Sequence, residues 1–258
     1  MLKDNAKEAS SASTKTFRKD GFLIYRNCVS AEECRNAKAF VLESLSPLIG
    51  PAELEVDVGY SGAPRAAADE GGETPRRLLH AYGRSPILRK FALDQKVKEM
   101  ICELMDESDV MLSQCHHNCV MTKYPRYSSS TGWHQDIRYW HYDLPELITV
   151  WIALDREDES NGSLQVIPGS HKIDFERGDF DKDLFFREDK EPNRSLIQRR
   201  VSVELNQGDL FFFHCRLLHS AGENLSDEVK LSPVFTFHKR SNLPIEGTRS
   251  SRFPSIGL

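Results

Sequence analysis

Short apolar runs rich in Val, Ile, Phe and Trp recur from about residue 110 to residue 239, and turn signals separate them: Asn161-Gly162, Pro168-Gly169, Gly208-Asp209 and Gly222. The pattern predicts strands over Met111–Lys123, Gly132–Ile137, Leu147–Asp155, Ser163–Ile167, Val201–Leu205, Leu210–His214 and Leu231–Lys239. So many short strands in one half of a chain fit a sandwich or jelly roll. The interruption at residues 172–200 is highly charged and reads as a surface excursion.

The first half has a different period. Gly21–Tyr25 (GFLIY) reads as a short strand. Ser30 and Glu33 then form an S-x-x-E capping box that opens a helix to about Leu45. Ser85-Pro86 is an N-cap followed by proline at the first helical position. A further helix is predicted over Asp94–Asp106, where Val97, Met100, Ile101 and Leu104 fall on one face. Residues 50–75, rich in Gly, Pro and acid, read as a long loop, either a lid or an insertion. Residues 1–16 read as a polar, disordered lead-in. No repeat or linker divides the rest, so residues 17–258 are expected to form one α+β domain. Its mostly N-terminal helices would pack around a double-stranded β-helix, a cupin-like jelly roll.

Composition narrows the function. The 258 residues carry a net charge of −5, with 39% apolar and 28% charged side chains, as in an ordinary globular protein. Mild acidity argues against a nucleic-acid partner. The longest apolar run, Leu147–Leu154, has strand length and falls far short of the ~18 residues of a membrane span. The six cysteines include no CxxC pair, and residues 1–16 contain no apolar core of a secretory signal. Reduced, mostly buried thiols in a cytoplasmic protein are the expectation.

The chemistry concentrates in His134-Gln135-Asp136. On a strand, residues i and i+2 share a face, so an imidazole and a carboxylate would both look into the barrel. They supply two ligands of a 2-His-1-carboxylate facial triad, which suits non-haem Fe(II) because three adjacent positions stay open. A bare HxD also fits a surface histidine beside a turn aspartate. The third ligand must be a distant histidine. His219, past the aromatic run LFFFHCRLLHS, ranks first and His214 competes with it. His141-Tyr142-Asp143 repeats the spacing, but Leu144-Pro145 follows at once, and proline suits a rim loop better than a central strand.

The ordered strings WHQD, WIALD, NGSLQVIPGSHK, GDLFFFH and HSAGEN, over roughly residues 110–240, resemble the phytanoyl-CoA dioxygenase (PhyH-like) family of Fe(II)/2-oxoglutarate oxygenases. The resemblance extends more loosely to GFLIYRNCVSAEEC. It implies Fe(II) held by His134, Asp136 and His219, with 2-oxoglutarate and O2 on the remaining positions and ascorbate as an auxiliary reductant. The implied reaction decarboxylates 2-oxoglutarate to succinate and CO2 and hydroxylates an unactivated C–H of a small molecule. Halogenating relatives lack the carboxylate ligand, so Asp136 argues against that outcome.

The resemblance also implies an arginine for the distal carboxylate of 2-oxoglutarate, eleven residues after the distal histidine, where this chain has Lys230. Lysine is a point charge and cannot form arginine's bidentate fork. Lys123 matches a family lysine that contacts the co-substrate, and Ser220 lies one residue before a family hydroxyl position. Thr149 and Trp151 share a strand face that either lines the pocket or belongs to the core. Arg138, Tyr139 and His141 follow the metal motif and are candidates to hold a polar or anionic substrate at the mouth. His171 sits in a turn read as structural first. The C-terminal FPSIGL is not a peroxisomal address of the SKL type. A metal-binding module or sensor without turnover remains an alternative, as does a metal-dependent isomerase or lyase on the same scaffold.

Overall fold

The computed structural model describes residues 12–60 and 63–258. Helix α1 (residues 12–20) leads into β1 (Phe22–Tyr25), α2 (Ala31–Leu45), β2 (Ala52–Leu54), β3 (Pro75–Leu79), α3 (Ala81–Arg84), α4 (Pro86–Ala92) and α5 (Gln95–Met105). There follow β4 (Val110–Leu112), β5 (Asn118–Lys123), β6 (Thr131–His134), β7 (Leu147–Ile152), β8 (Leu164–Val166), α6 (Glu191–Ile197), β9 (Val201–Ser202), β10 (Leu210–His214), β11 (His219–Ala221), β12 (Lys230–Lys239) and β13 (Ile256–Gly257). The strands form two antiparallel sheets. The larger runs β1-β10-β7-β12-β5-β3-β2, with β4 also on β12 and β13 on β4; the smaller runs β6-β11-β8-β9.

A strand that is apolar at every position needs cover on both faces. In β10, Leu210 and Phe212 point to the helices, while Phe211 and Phe213 point into the space between the sheets. In β7, Ile148, Val150 and Ile152 face the helices and Trp151 faces inward. The outer core joins these strands to Phe17 of α1, Val41 of α2, Phe91 of α4 and Ile101 of α5. The inner core is thin and gives way to a cavity toward β6 and β11.

The helices form where the capping residues place them. Ser30 Oγ accepts the Glu33 N–H at 3.2 Å, and the Ser30 N–H donates to Glu33 Oε2 at 3.1 Å. Ser85 Oγ accepts the Leu88 N–H, with Pro86 at the first position. Asp94 caps α5, which ends at Met105.

Four expectations need correction. Residues 12–16 are helical, so the lead-in does not extend unstructured to residue 16; residues 1–11 lie outside the described residues. The stretch Met111–Lys123 splits into β4 and β5, because the connecting residues bend away between two partners on β12. Residues 50–75 are not all loop, since β2 pairs with β3 and extends the large sheet past β5. The excursion at 172–200 has a small apolar core of its own, where Phe175, Phe180, Phe186 and Ile197 cover Trp133 and Leu218. All six cysteines are free; Cys34, Cys119 and Cys215 are buried and the others half-buried. Among the described residues, no helix is long and apolar enough to cross a membrane.

The Gly208-Asp209 turn ties the N-terminal segment to the large sheet. Gly208 O accepts the N–H groups of Cys28 and Val29 at 2.9 and 3.0 Å, and Gly208 adopts φ +85°. A Cβ there would collide with Val29 O. Gly208→Ala is expected to cost more than about 1 kcal/mol, read as a lower urea midpoint with an unchanged slope. An unchanged midpoint would refute this account of the turn.

Candidate active site

Strands β6 and β11 pair antiparallel with His134 opposite His219, and the two rings lie 4.2 Å apart between centroids. Each ring is fixed by the backbone. His134 Nδ1 lies 2.8 Å from Gly132 O, and His219 Nδ1 lies 3.0 Å from Leu217 O. A carbonyl can only accept, so each Nδ1 carries the proton and a neutral ring presents its Nε2 lone pair. Burial drives His134 well below the usual histidine range, which keeps it neutral.

Both lone pairs converge on one carboxylate. Asp136 Oδ1 is 3.8 Å from His134 Nε2 and 3.6 Å from His219 Nε2. One ligand atom from each of the three residues lies within 4.8 Å of the other two, close enough for the group to hold one metal ion. All three residues are buried. Asp136 is not on β6: Gln135 is still extended, and Asp136 opens a 3-10 turn to Tyr139. The alternation argument therefore holds through Gln135 and then lapses. Asp136 Oδ2 is buried with no hydrogen-bond partner and lies 3.5 Å from His117 Nδ1, which is also unpartnered. A buried carboxylate so poorly served favours a cation beside it. The donor set of two imidazoles and one carboxylate fits Fe(II).

The triad opens on a cavity of about 280 Å³. The inward row of β5 is Cys119, Met121 and Lys123, with His117 just before the strand near the triad and Lys123 at the far end. Among the described residues, Lys123 Nζ reaches only Ser129 O, at 3.3 Å. Burial, and then the neighbouring Lys230, pull its ammonium down to about 7.

Lys230 lies opposite Lys123 in the β5–β12 register, but its charge is already met. Its Nζ is 3.0 Å from Glu157 Oε2. Glu157, 1% exposed, also accepts Trp151 Nε1–H at 3.0 Å and Ser232 Oγ–H at 2.7 Å. Two more cations of the lining are likewise paired, Arg76 with Glu55 at 3.2 Å and Arg77 with Glu53 at 2.6 Å. Among the described residues, Lys123 and Arg249 are the cavity-lining cations with no carboxylate within ion-pair distance.

The other expected site residues divide. Ser220, Trp151 and Tyr139 line the cavity. Thr149 does not; it is fully buried and shares a 3.1 Å hydrogen bond with Thr236. Arg138 is also outside the lining, because the 3-10 turn carries it outward. Its guanidinium lies over the rings of Tyr139 and Phe185 at 4.3 and 4.0 Å and donates to Leu184 O. His141 is exposed outside the cavity. His171 packs against His214, ring centroids 5.3 Å apart, and neither reaches the triad. Glu53, Glu55, Asp57, Arg76, Arg77, Glu157 and Arg249 were not anticipated. The Glu53–Arg77 cross-strand pair was the available signal, with Glu53 hidden in the segment 50–75 read as loop.

The phytanoyl-CoA dioxygenase (PhyH) family model matches residues 17–232. Among curated relatives, phytanoyl-CoA dioxygenase 1 of Oryza sativa subsp. japonica is 27% identical over 234 residues, covering 81% of this chain and 82% of its own. Ectoine dioxygenase of Halomonas elongata is 22% identical, covering 94% and 74%. The fold is shared with the epimerase SnoN, solved with Fe3+, alpha ketoglutarate and nogalamycin RO (TM-score 0.74, 20% identity, 92% and 86% covered). It is shared equally with EctD of S. alaskensis with bound Fe (TM-score 0.73, 19% identity, 95% and 81% covered). The chain belongs to the phytanoyl-CoA dioxygenase (PhyH) family of Fe(II)/2-oxoglutarate-dependent oxygenases.

Proposed function

We propose that the protein hydroxylates an unactivated C–H of a small, polar or anionic molecule, with His134, Asp136 and His219 as the iron ligands. The observation that carries this reading is the convergence of two backbone-oriented Nε2 atoms on Asp136 Oδ1 at the wall of the cavity. Bound there, Fe(II) with 2-oxoglutarate and O2 supplies an oxidation that yields succinate, CO2 and a hydroxylated product. The protein's own part is to hold, orient and exclude. Gly132 O and Leu217 O fix the two imidazoles, and Phe185, 6.0 Å from the His134 ring, shields that flank. Lys123 receives the distal carboxylate of the co-substrate, while Lys230 stays with Glu157. The cavity size suits a small substrate, at the lower edge of the ~300–1,000 Å³ usual for ligand pockets.

Anaerobic Fe(II) protein is expected to develop a metal-to-ligand charge-transfer band with 2-oxoglutarate. Asp136→Ala should lose both the band and succinate release. A wild-type protein that binds Fe(II) but never shows the band would favour a binding module without turnover.

The Lys123 assignment has a signed pH dependence. The free ammonium titrates at about 7, and a bound carboxylate favours its charged form, so binding takes up a proton above that pH. Affinity for 2-oxoglutarate is expected to be level below neutrality and to weaken up to about tenfold per pH unit above it, one proton being ~1.36 kcal/mol per unit. Calorimetry of the anaerobic Fe(II) protein near pH ~8, in buffers of different ionisation heat, should count close to one proton, since the bound-state pKa lies higher. Lys123→Met should abolish that uptake and weaken binding more than Lys230→Met does. Uptake that survives Lys123→Met would place the carboxylate elsewhere.

A further inference from the structure

Building on the oxygenase reading of this cavity, we propose that Arg249 and His116 form a second anion-recognition subsite, beside the metal triad, that selects a substrate bearing a carboxylate. Arg249 stands on a 3-10 turn (Arg249–Ser251) between β12 and β13, beyond the segment matched by the family model. The pairing of β13 with β4 returns this segment to the cavity wall.

The next residue fixes the state of His116. Ser250 Oγ accepts the His141 N–H at 2.8 Å and lies 2.8 Å from His116 Nε2. Ser250 is buried and its hydroxyl finds no other acceptor among the described residues, so its proton goes to His116 Nε2. Burial, and then Arg249, hold His116 down at about 2, so the ring is neutral. A neutral ring that accepts at Nε2 carries its proton at Nδ1. That Nδ1 is buried and has no partner, as does Arg77 Nε on the neighbouring strand β3. The His116 ring is set by Trp140, 5.0 Å away and tilted 34°.

The wall thus combines the guanidinium of Arg249, exposed and without a carboxylate, with two buried N–H groups that lack acceptors, His116 Nδ1 and Arg77 Nε. It borders the same cavity as the triad: His116 and Arg249 line it together with His134, Asp136 and His219. Buried donors left unpaired in the protein call for an acceptor on the ligand. One full charge with neutral N–H groups matches a monoanion better than a dianionic phosphate. The co-substrate does not account for this wall, since Lys123 meets its distal carboxylate at the far end of β5.

The test uses the full chain, anaerobic, with Fe(II) and saturating 2-oxoglutarate so that the co-substrate position is filled. Acetate, hexanoate and benzoate are titrated against acetamide, hexanamide, benzamide and methylphosphonate, read by calorimetry and by the shift of the charge-transfer band. At least one acid should bind about tenfold or more tighter than its amide, and methylphosphonate should bind more weakly than that acid. Arg249→Gln should erase the acid preference and Arg249→Lys restore part of it. His116→Phe, which keeps the stack on Trp140, should lower acid affinity severalfold. Thermal unfolding of each variant controls for folding. An acid-to-amide ratio near one, a ratio untouched by Arg249→Gln, no saturable binding by any acid, or tighter methylphosphonate each overturns the proposal. If no charge-transfer band forms, the oxygenase reading fails on its own. The acid preference is then read by calorimetry in metal-free Lys123→Met protein, where the same Arg249 comparison decides it.

Discussion

The cross-strand pair of His134 and His219 is the constraint on which the site depends. A strand slipped by one residue would turn its histidine to the opposite face, and no ion could then bridge the two. The register is held from several sides. His219 pairs with Val166 of β8 as well as with His134, so β11 is clamped between two strands. The Phe186 N–H donates to Trp133 O at 2.7 Å, and the Ile137 N–H to Cys215 O at 3.0 Å. Around this clamp the small sheet can be short, because its apolar side is covered by the aromatic residues of the excursion at 172–200.

The architecture and the triad were legible because both rest on strong local patterns. Runs apolar on both faces, such as LFFFH, have few places to go except between two layers. Capping chemistry at Ser30, Ser85 and Asp94 set the helix starts. The triad was legible in part from alternation and in part from resemblance; the choice of His219 over His214 turned on β11 being a separate strand, which the sequence marks only faintly. What stayed hidden was the wall supplied by β2, β3 and the turn at Arg249. Their side chains pair across long sequence distances, as Glu53 does with Arg77 and Glu55 with Arg76. Such pairs have no local period. Arg138 and His141 were misplaced for the opposite reason, since proximity in sequence to Asp136 stops implying proximity in space once the 3-10 turn begins.

The departure at position 230 has a structural counterpart at position 157. A lysine buried in a cavity wall is costly unless paired. Glu157 supplies the pairing and is itself stabilised by Trp151 and Ser232, so that its carboxylate accepts from three side chains. Removing either partner alone would strand a buried charge, whereas the pair contributes little net charge to the cavity. That neutrality sets Lys123 apart. With Lys230, Arg76 and Arg77 each answered by a glutamate, the field along the cavity is set by the charges left over. Those are the cations Lys123 and Arg249 and the carboxylates Asp136 and Asp57. An anion is drawn to the two cations and repelled from Asp136 until a metal neutralises that carboxylate. The ion pairs therefore do more than hold the walls together: by cancelling most of the charge, they leave Lys123 and Arg249 as the cations toward which a negative group is drawn.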